Sequence, residues 1–573
     1  MSQQHPGNPS TKLGDAVAAI VVLGIAGLVF SGLFFRETNL SYSIGYNLYG
    51  AERTLLGEVP YRDFHTLYPP AIIYVNAALF DLFGVSLYTA LLGVLVFKAL
   101  TTLAIYLAAR EVMPRAWAMI PALSSLIWLR PNGPFKAVPM HYGALFLALA
   151  LWLLLKYLKS GSAWRLVAAG ISIGVLALFK HNIGAYALIG LLLVVTVEGG
   201  PIRWEAGYWW KNYKRGLVML GAFFLPIVPV LIYFRFQGAL GAMTRTLLFG
   251  PGEFLLGRLA STPSPLIALA YAVTLTGSVV AARRFRQRPV LAAALGLLLV
   301  IPLLAFCMLG DQSRVDQLLF YLPVLLIAAA ALVYWFGARF EGGHSVTLAA
   351  VIVVAAAASL ESFPRLAREQ VVAAMPFVTL LLIHVIHVVR PRAREIAGRM
   401  IGFALMAVPL SCFLIGSRLF VGTFFERGLR LRSNSELTID RGRGVRFPKS
   451  EADEIDSVVR YIQERVPAGG YLFAQSYAGS SYLFLADRRN PSGAQFWGGV
   501  GVNDQERGDT LRAIEETQVN LIVTSYRDLA AEKYGPMRDY IAANFALSRE
   551  FNDVIIYERR AAKVDVSKLK APR

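Results

Sequence analysis

A polar stretch near the amino end of the chain carries side chains suited to acid–base and anion chemistry. Arg62, Asp63 and His65 place charged or titratable groups within four residues, and Glu52 precedes them in the same stretch. A carboxylate can take a proton from a reacting group, and the arginine fork binds phosphate or carboxylate oxygens in pairs. The pattern therefore predicts a general base beside an anion site. The alternative is a solvated connecting loop.

Prolines shape this stretch. Pro60, Pro69 and Pro70 fix φ and remove backbone donors, so residues 52–70 cannot form one continuous helix. The apolar run from Ala71 to Gly84 that follows has about fourteen residues, too few to cross the hydrocarbon core. We expect a shaped loop followed by a short helix that lies on, or dips into, the membrane interface.

The composition indicates a polytopic integral membrane protein. The 573 residues are 56% hydrophobic and 16% charged, whereas about a quarter of a soluble protein is charged. The formal charge of +19 could indicate a nucleic-acid partner. However, the basic residues lie in short clusters between apolar runs, as membrane topology requires, so we expect no nucleic acid. Cys307 and Cys412 lie within apolar runs and predict no disulfide or metal–thiolate framework.

Apolar runs long enough to cross a membrane predict about thirteen spans, the first of them retained and not cleaved as a signal. They are 16–35, 88–109, 116–130, 139–155, 165–180, 183–198, 216–236, 265–282, 289–309, 317–337, 345–361, 371–389 and 398–416. The denser basic clusters then place the amino terminus in the cytoplasm. The first outer loop, residues 36–87, and the carboxyl-terminal tail lie together on the outer face.

The composition changes after Phe420. Residues 1–420 are expected to form the membrane domain, residues 421–562 a small extracytoplasmic α/β domain and residues 563–573 a loose tail. The patterns predict helices at Ala452–Val466, Thr510–Thr517 and Met537–Phe545, and strands at Tyr471–Gln475, Asn520–Thr524 and Val554–Tyr557.

Further ionisable residues flank the apolar runs on the predicted outer face: Lys180, His181, Arg245, Arg258 and Arg314. Several cations with few carboxylates around one rim fit a site for an anionic, lipid-linked substrate. Alternatively, each cation extends to lipid headgroups. No ligand pattern specifies a metal site.

The stretch Gly57-Glu-Val-Pro-Tyr-Arg-Asp-Phe-His-Thr-Leu-Tyr-Pro-Pro-Ala71, with Leu79-Phe-Asp-Leu-Phe-Gly84, resembles the first outer loop of GT-C membrane glycosyltransferases. The resemblance is to the family 39-like branch, which includes protein mannosyltransferases and the lipid A aminoarabinose transferase. Residues 168–182 look like the glycine-rich span of that family, which ends in a lysine. Arg443–Phe447, Glu451–Val466 and Leu485–Pro491 are similar to the outer domain of bacterial members.

The resemblance implies a mainly α, GT-C-like membrane fold in the bacterial inner membrane. It also implies an inverting hexosyl- or pentosyltransferase that uses a polyprenyl-phosphate sugar and needs no other cofactor. A carboxylate of the first outer loop, its pKa raised by partial burial, would deprotonate the acceptor hydroxyl. The residues implied for catalysis are Asp63 and Glu52. Those implied for donor or substrate binding are Tyr61, Arg62, His65, Lys180, His181, Arg245, Arg258 and Arg314.

The chain departs from this family just after the first span. Members carry an acidic residue there, whereas Asn39–Asn47 contains none. Asp63 therefore becomes the first candidate base and Glu52 the second. Two alternatives stay open: a lipid-linked sugar transporter or flippase, and a non-catalytic GT-C-like scaffold. The acceptor could be a glycan, a lipid head group or a protein hydroxyl.

Overall fold

The computed structural model describes residues 9–34, 44–129, 138–197, 206–248, 327, 344–362, 368–389, 434–474, 479–494, 504–526, 535–552 and 554–560.

The amino-terminal part of the described chain is helical. A π-helical turn, Ile44–Leu48, and a 3₁₀ turn, Leu360–Ser362, accompany the α-helices. The α-helices are α1 Pro9–Phe34, α2 Tyr49–Leu55, α3 Ala71–Phe83, α4 Leu87–Val112, α5 Arg115–Trp128, α6 Pro139–Ser160, α7 Ala163–Phe179, α8 His181–Val197, α9 Ala206–Phe236, α10 Leu240–Leu248, α11 His344–Ser359 and α12 Arg368–Val389.

Five described helices are long and apolar enough to cross a membrane, at Leu13–Ser31, Leu87–Val112, Pro139–Ser160, Tyr213–Phe236 and Val371–Val388. Shorter apolar helices lie at Ala71–Phe83, Ala163–Phe179, His181–Thr196 and Val346–Ser359. The short helix expected after the proline pair is thereby confirmed as α3. The predicted runs 265–282, 289–309, 317–337 and 398–416 lie outside the described residues, apart from residue 327, so the total of about thirteen spans stays a prediction.

Small residues let α7 and α9 pack closely. A Cβ atom on Gly170 would lie 2.6 Å from the carbonyl oxygen of Met219, and one on Gly174 would collide with the carbonyl of Phe223. Glycines spaced four residues apart face the same neighbour, an arrangement that brings membrane helices into contact. This packing fixes the carboxyl end of α7, where Lys180 lies.

The described residues from 434 to 560, here called the C-terminal segment, combine helices with two small sheets. Its helices are α13 Lys449–Arg465, α14 Gly479–Ala486, α15 Asp504–Glu516 and α16 Gly535–Asn544. Its strands are β1 Asn434–Glu436, β2 Arg446–Pro448, β3 Phe473–Ala474, β4 Leu521–Ser525, β5 Phe545–Phe551 and β6 Val554–Arg559. The order β3-β4-β6-β5 has one parallel pair, β3 with β4, and two antiparallel pairs.

The predicted helices and strands of this segment overlap observed ones, but four observed elements, β1, β2, α14 and β5, were not predicted. The prediction extended a helix to Phe545 and placed no strand after it, whereas β5 begins at that residue. β5 is an edge strand, and within it only Phe545 is buried. An edge strand exposed on most positions carries a weak alternating pattern, which explains the omission.

The C-terminal segment packs on the first outer loop and does not stand apart from it. One hydrophobic core contains Phe64 of the loop and Phe80 of α3 together with Ile455 and Phe484 of the segment. The rings of Phe80 and Phe484 stack with centroids 5.7 Å apart. The loop and the C-terminal segment are therefore in direct contact, and the membrane face on which they lie stays a prediction.

Candidate functional site

A tight turn presents the polar stretch. Tyr61 adopts φ of 69°, a left-handed conformation unusual for an aromatic residue, and its N–H donates to the carbonyl of Phe64 at 2.8 Å. The contacts of the Tyr61 side chain offset the energetic cost of this backbone conformation. The hydroxyl donates to the carbonyl of Tyr68 at 2.6 Å, and the ring packs edge-on against Phe234 with centroids 5.5 Å apart. The turn is thus held in place from both sides.

The Asp63 carboxylate is fixed by three donors. The Val59 N–H donates to Oδ2 at 2.7 Å, and Arg62 donates from Nε to Oδ1 at 2.9 Å and from Nη2 to Oδ2 at 2.8 Å. The bonds from Arg62, ahead of the one from Val59, hold the pKa of this carboxyl below its usual range. The expectation of a raised pKa is therefore wrong for Asp63, because its side chain is 31% exposed and its bonded cation outweighs the effect of burial.

Arg62 and His65 connect this turn to other parts of the chain. Arg62 Nη1 donates to both the carbonyl and the side-chain Oε1 of Gln237, each at 3.2 Å. Gln237 lies between α9 and α10. The backbone N–H of His65 donates to the carbonyl of Gly493, in the C-terminal segment, at 2.8 Å.

Glu52 lies at the contact between the loop and the C-terminal segment. Its Oε1 is 2.7 Å from Nη1 of Arg441, whose Nη2 is 2.6 Å from Oδ1 of Asp487. Burial raises the pKa of Glu52 to about 7 although Arg441 opposes that shift. Glu52 thus has the raised pKa expected of a base, but it is buried and faces Arg441 and not solvent.

Lys180 follows α7 directly and is mostly buried in an ion pair. Its Nζ is 3.0 Å from Oε1 of Glu361, with the two side chains 16% and 4% exposed, and 5.2 Å from the ring centroid of Tyr68. Sequence reasoning missed Glu361. The available signal was a lone carboxylate ending an apolar run, since a charge at such a position needs a partner.

His181 and Arg245 lie on adjoining elements. His181 begins α8, and its imidazole lies near the backbone of Leu247 in α10. Met243 of the same helix packs in a small cluster with Tyr61. Arg245, also in α10, is exposed to solvent.

The structure thus joins the polar turn, the α7–α8 junction and α10 through direct contacts, and these parts together are called the loop site below. Arg258 and Arg314 lie outside the described residues. Within the described ranges, no group of three or more His, Cys, Asp or Glu side chains could hold a metal ion. The loop site offers an ionised, partly exposed carboxylate beside an arginine, with a buried lysine connected to the same loop through Tyr68.

No protein-family model matches the sequence, and no curated protein does. Among solved structures, the chain aligns with the Archaeoglobus fulgidus oligosaccharyltransferase at 14% identity and a TM-score of 0.49, covering 95% of this chain and 74% of that one. It also aligns with ArnT from Cupriavidus metallidurans bound to undecaprenyl phosphate, at 14% identity and a TM-score of 0.38, covering 99% of this chain and 100% of that one. These are distant likenesses, and no residue role or substrate is carried over from them. Both proteins are GT-C glycosyltransferases, the superfamily that the sequence resembles.

Proposed function

We propose that the protein transfers a sugar from a polyprenyl-phosphate donor to an acceptor hydroxyl on the outer face of the bacterial inner membrane, with Asp63 as general base. The observation that carries this proposal is the state of the Asp63 carboxylate. It is ionised and held by Val59 and Arg62, yet about a third of its side chain is exposed. A base that takes a proton from an incoming hydroxyl needs this combination of fixed position and access.

The proposed step balances in atoms and charge. Asp63 takes the proton of the acceptor hydroxyl while the acceptor oxygen forms a bond to the anomeric carbon. The bond between that carbon and the phosphate oxygen breaks, and polyprenyl phosphate leaves with the electron pair. Because the phosphate is already a good leaving group, the protein needs to supply only three things. It deprotonates the acceptor hydroxyl, positions the two substrates and neutralises the negative charge on the phosphate. A single displacement inverts the anomeric centre, so the stereochemistry of the product tests this route.

Arg62 connects the two parts of the reaction. Its fork now holds Asp63, and guanidinium forks also bind phosphate oxygens. If a donor phosphate bound the Arg62 guanidinium in place of Asp63, the main cause of the low pKa of Asp63 would be removed. That pKa would then rise towards its usual range, making the carboxylate a better base when the donor is bound. Lys180 is the second proposed phosphate ligand. Tyr61, His65, His181, Arg245, Arg258 and Arg314 are proposed to complete the donor and substrate site.

The test measures transfer by the purified protein, supplied with labelled polyprenyl-phosphate sugars and membrane extracts as the acceptor source. We expect Asp63→Asn to lower kcat by about 10² to 10⁴, the usual contribution of a general base. Asp81→Asn is the matched control, because Asp81 is an exposed carboxylate on α3. Full turnover by Asp63→Asn would exclude Asp63 as the base. Passage of the labelled lipid across proteoliposomes without covalent transfer would replace the proposal with a transporter.

A further inference from the structure

Arg53 is a buried cation whose guanidinium contacts two residues of its own loop and one residue of the C-terminal segment. Its side chain is 5% exposed. Nε donates to Oε2 of Glu58 at 2.6 Å, Nη1 to the carbonyl of Ser492 at 3.0 Å, and Nη2 to the carbonyl of Asp63 at 3.2 Å. Nη2 also lies 2.5 Å from Oε2 of Glu58, so the guanidinium is held by acceptors on three residues. One acceptor is the backbone of the proposed base, and another belongs to the C-terminal segment.

The C-terminal segment meets Arg53 with a turn built for this contact, residues 490–494. The Asn490 side chain accepts from the Ser492 N–H at 3.1 Å and donates to the carbonyl of Ala494 at 3.1 Å. These bonds direct the carbonyls of Ser492 and Gly493 towards the loop, where they accept from Arg53 and from the His65 N–H. The backbone from the Asp63 carbonyl to the His65 N–H is therefore connected to the C-terminal segment.

We propose that Arg53 is a positioning residue and that the 490–494 turn acts with it to hold Asp63 where it can reach the acceptor. The inference rests on the proposed role of Asp63. Val59 and Arg62 fix the carboxylate, but both belong to the same short turn and move with it. Among the described residues, the hydrogen bonds through Arg53 and Gly493, together with the packing of Phe64, locate that turn relative to the C-terminal segment. The C-terminal segment thus contributes to catalysis by holding Asp63 in position.

Substitutions of Arg53 separate geometry from charge. Arg53→Lys keeps the cation beside Asp63 but has one nitrogen where three separate contacts are made. If Arg53 acts through its charge, the lysine variant restores the activity lost in Arg53→Ala. If it acts by position, Arg53→Lys stays defective, and we expect kcat to fall roughly tenfold to a hundredfold, as misplacement by up to about 1 Å predicts.

Gly493→Ala perturbs the same contact from the other side. The added Cβ atom would lie 3.2 Å from the carbonyl oxygen of Asp63, tight enough to displace it by a few tenths of an ångström. Gly508→Ala is the matched control, because its Cβ atom would meet nothing within 4 Å. We expect a fall in kcat of about tenfold for Gly493→Ala and no change for Gly508→Ala.

Two readouts distinguish positioning from a general loss of folded protein. The Arg53 cation helps to lower the pKa of Asp63, so the acid limb of the kcat/KM profile moves to higher pH in Arg53→Ala and stays in place in Arg53→Lys. A smaller folded fraction leaves that profile in place. Hydrogen exchange at the His65 amide does not depend on activity and should quicken in Arg53→Lys and Gly493→Ala. Unchanged exchange would overturn the inference even if the enzyme is active. If the His65 amide exchanges faster in the variants but the wild-type protein transfers no sugar, the proposed function is overturned. The structural connection between the turn and the C-terminal segment is then still supported.

Discussion

The buried carboxyl of Glu52 makes the contact between the loop and the C-terminal segment sensitive to pH. Its pKa is raised from 4.5 to about 7 by burial, with Arg441 and Asp487 as its charged neighbours. When the segment separates from the loop, Glu52 meets water and its pKa returns to the ordinary range. Docking of the segment is therefore linked to proton binding by this group.

The magnitude follows from the size of the shift. One pKa unit corresponds to about 1.4 kcal/mol, so the shift of Glu52 corresponds to about 3 kcal/mol. The docked form binds the proton more tightly, so docking is favoured at low pH. It weakens as pH rises from 4.5 to 7 and levels off above that. Glu52→Gln removes the titration and keeps the shape. Relative to the wild type, docking in the variant should therefore become more favourable as pH rises, by up to about 3 kcal/mol in free energy.

Hydrogen exchange at the Asn490 amide measures this quantity, because its N–H donates to the Tyr49 hydroxyl across the contact at 2.6 Å. Wild type and variant are compared at the same pH, which removes the intrinsic pH dependence of exchange. Glu515→Gln is the control. The pKa of Glu515 is lowered by its bonds to Tyr540 and Arg559, so its contribution is lost only below pH 4.5. If the difference in docking free energy between Glu52→Gln and the wild type stays constant from pH 4.5 to 7, the raised pKa of Glu52 is refuted, and with it this account of docking.

Two further predictions concern close contacts and the buried ion pair. Gly45→Ala should undock the C-terminal segment and expose the loop to protease, because the added Cβ atom collides with Ser480 in α14; Gly508→Ala should leave the cleavage pattern unchanged. Lys180→Met and Glu361→Met should each destabilise the protein by about 3–5 kcal/mol, since each removes one side of a mostly buried ion pair. The double variant should recover most of that stability. If Lys180 binds the donor phosphate, the stable double variant has a raised KM for the donor, and a wild-type KM in it would exclude that role.

Local features of the fold could be predicted from the sequence because their causes are local. The prolines ended helical structure before Ala71, and the apolar run after them formed α3. In the C-terminal segment, the buried strand β4 and the amphipathic helix α13 carry strong periodic patterns. β5 lacks such a pattern and was missed. Its position is set by pairing with β6, which periodicity does not report.

The residues of the candidate site could be selected from the sequence, but their partners could not. Arg62 and Asp63 are neighbours, so their ion pair follows from proximity. Lys180 pairs with Glu361, and Arg53 reaches the 490–494 turn, only because distant segments pack together. No spacing rule predicts a contact between residues so far apart in the chain. The sequence therefore predicts the chemistry that each side chain can perform, whereas the partners of that side chain are found only in the structure.

The environments of Asp63 and Glu52 differ in burial and in the direction of the pKa shift. Contacts with Arg62 and Val59 keep Asp63 ionised and leave part of it in solvent. Burial holds Glu52 near half-protonation at neutral pH, against Arg441. Where two carboxylates in one site have pKa values moved apart, their chemical roles usually differ. Asp63 can receive a proton from a hydroxyl that arrives from outside, whereas Glu52 can exchange its proton only when the C-terminal segment moves. If Glu52 were the base, each turnover would require that movement, and Glu52→Gln would abolish transfer. If Glu52 only holds the C-terminal segment against the loop, the variant keeps transfer and loses only the pH dependence of docking.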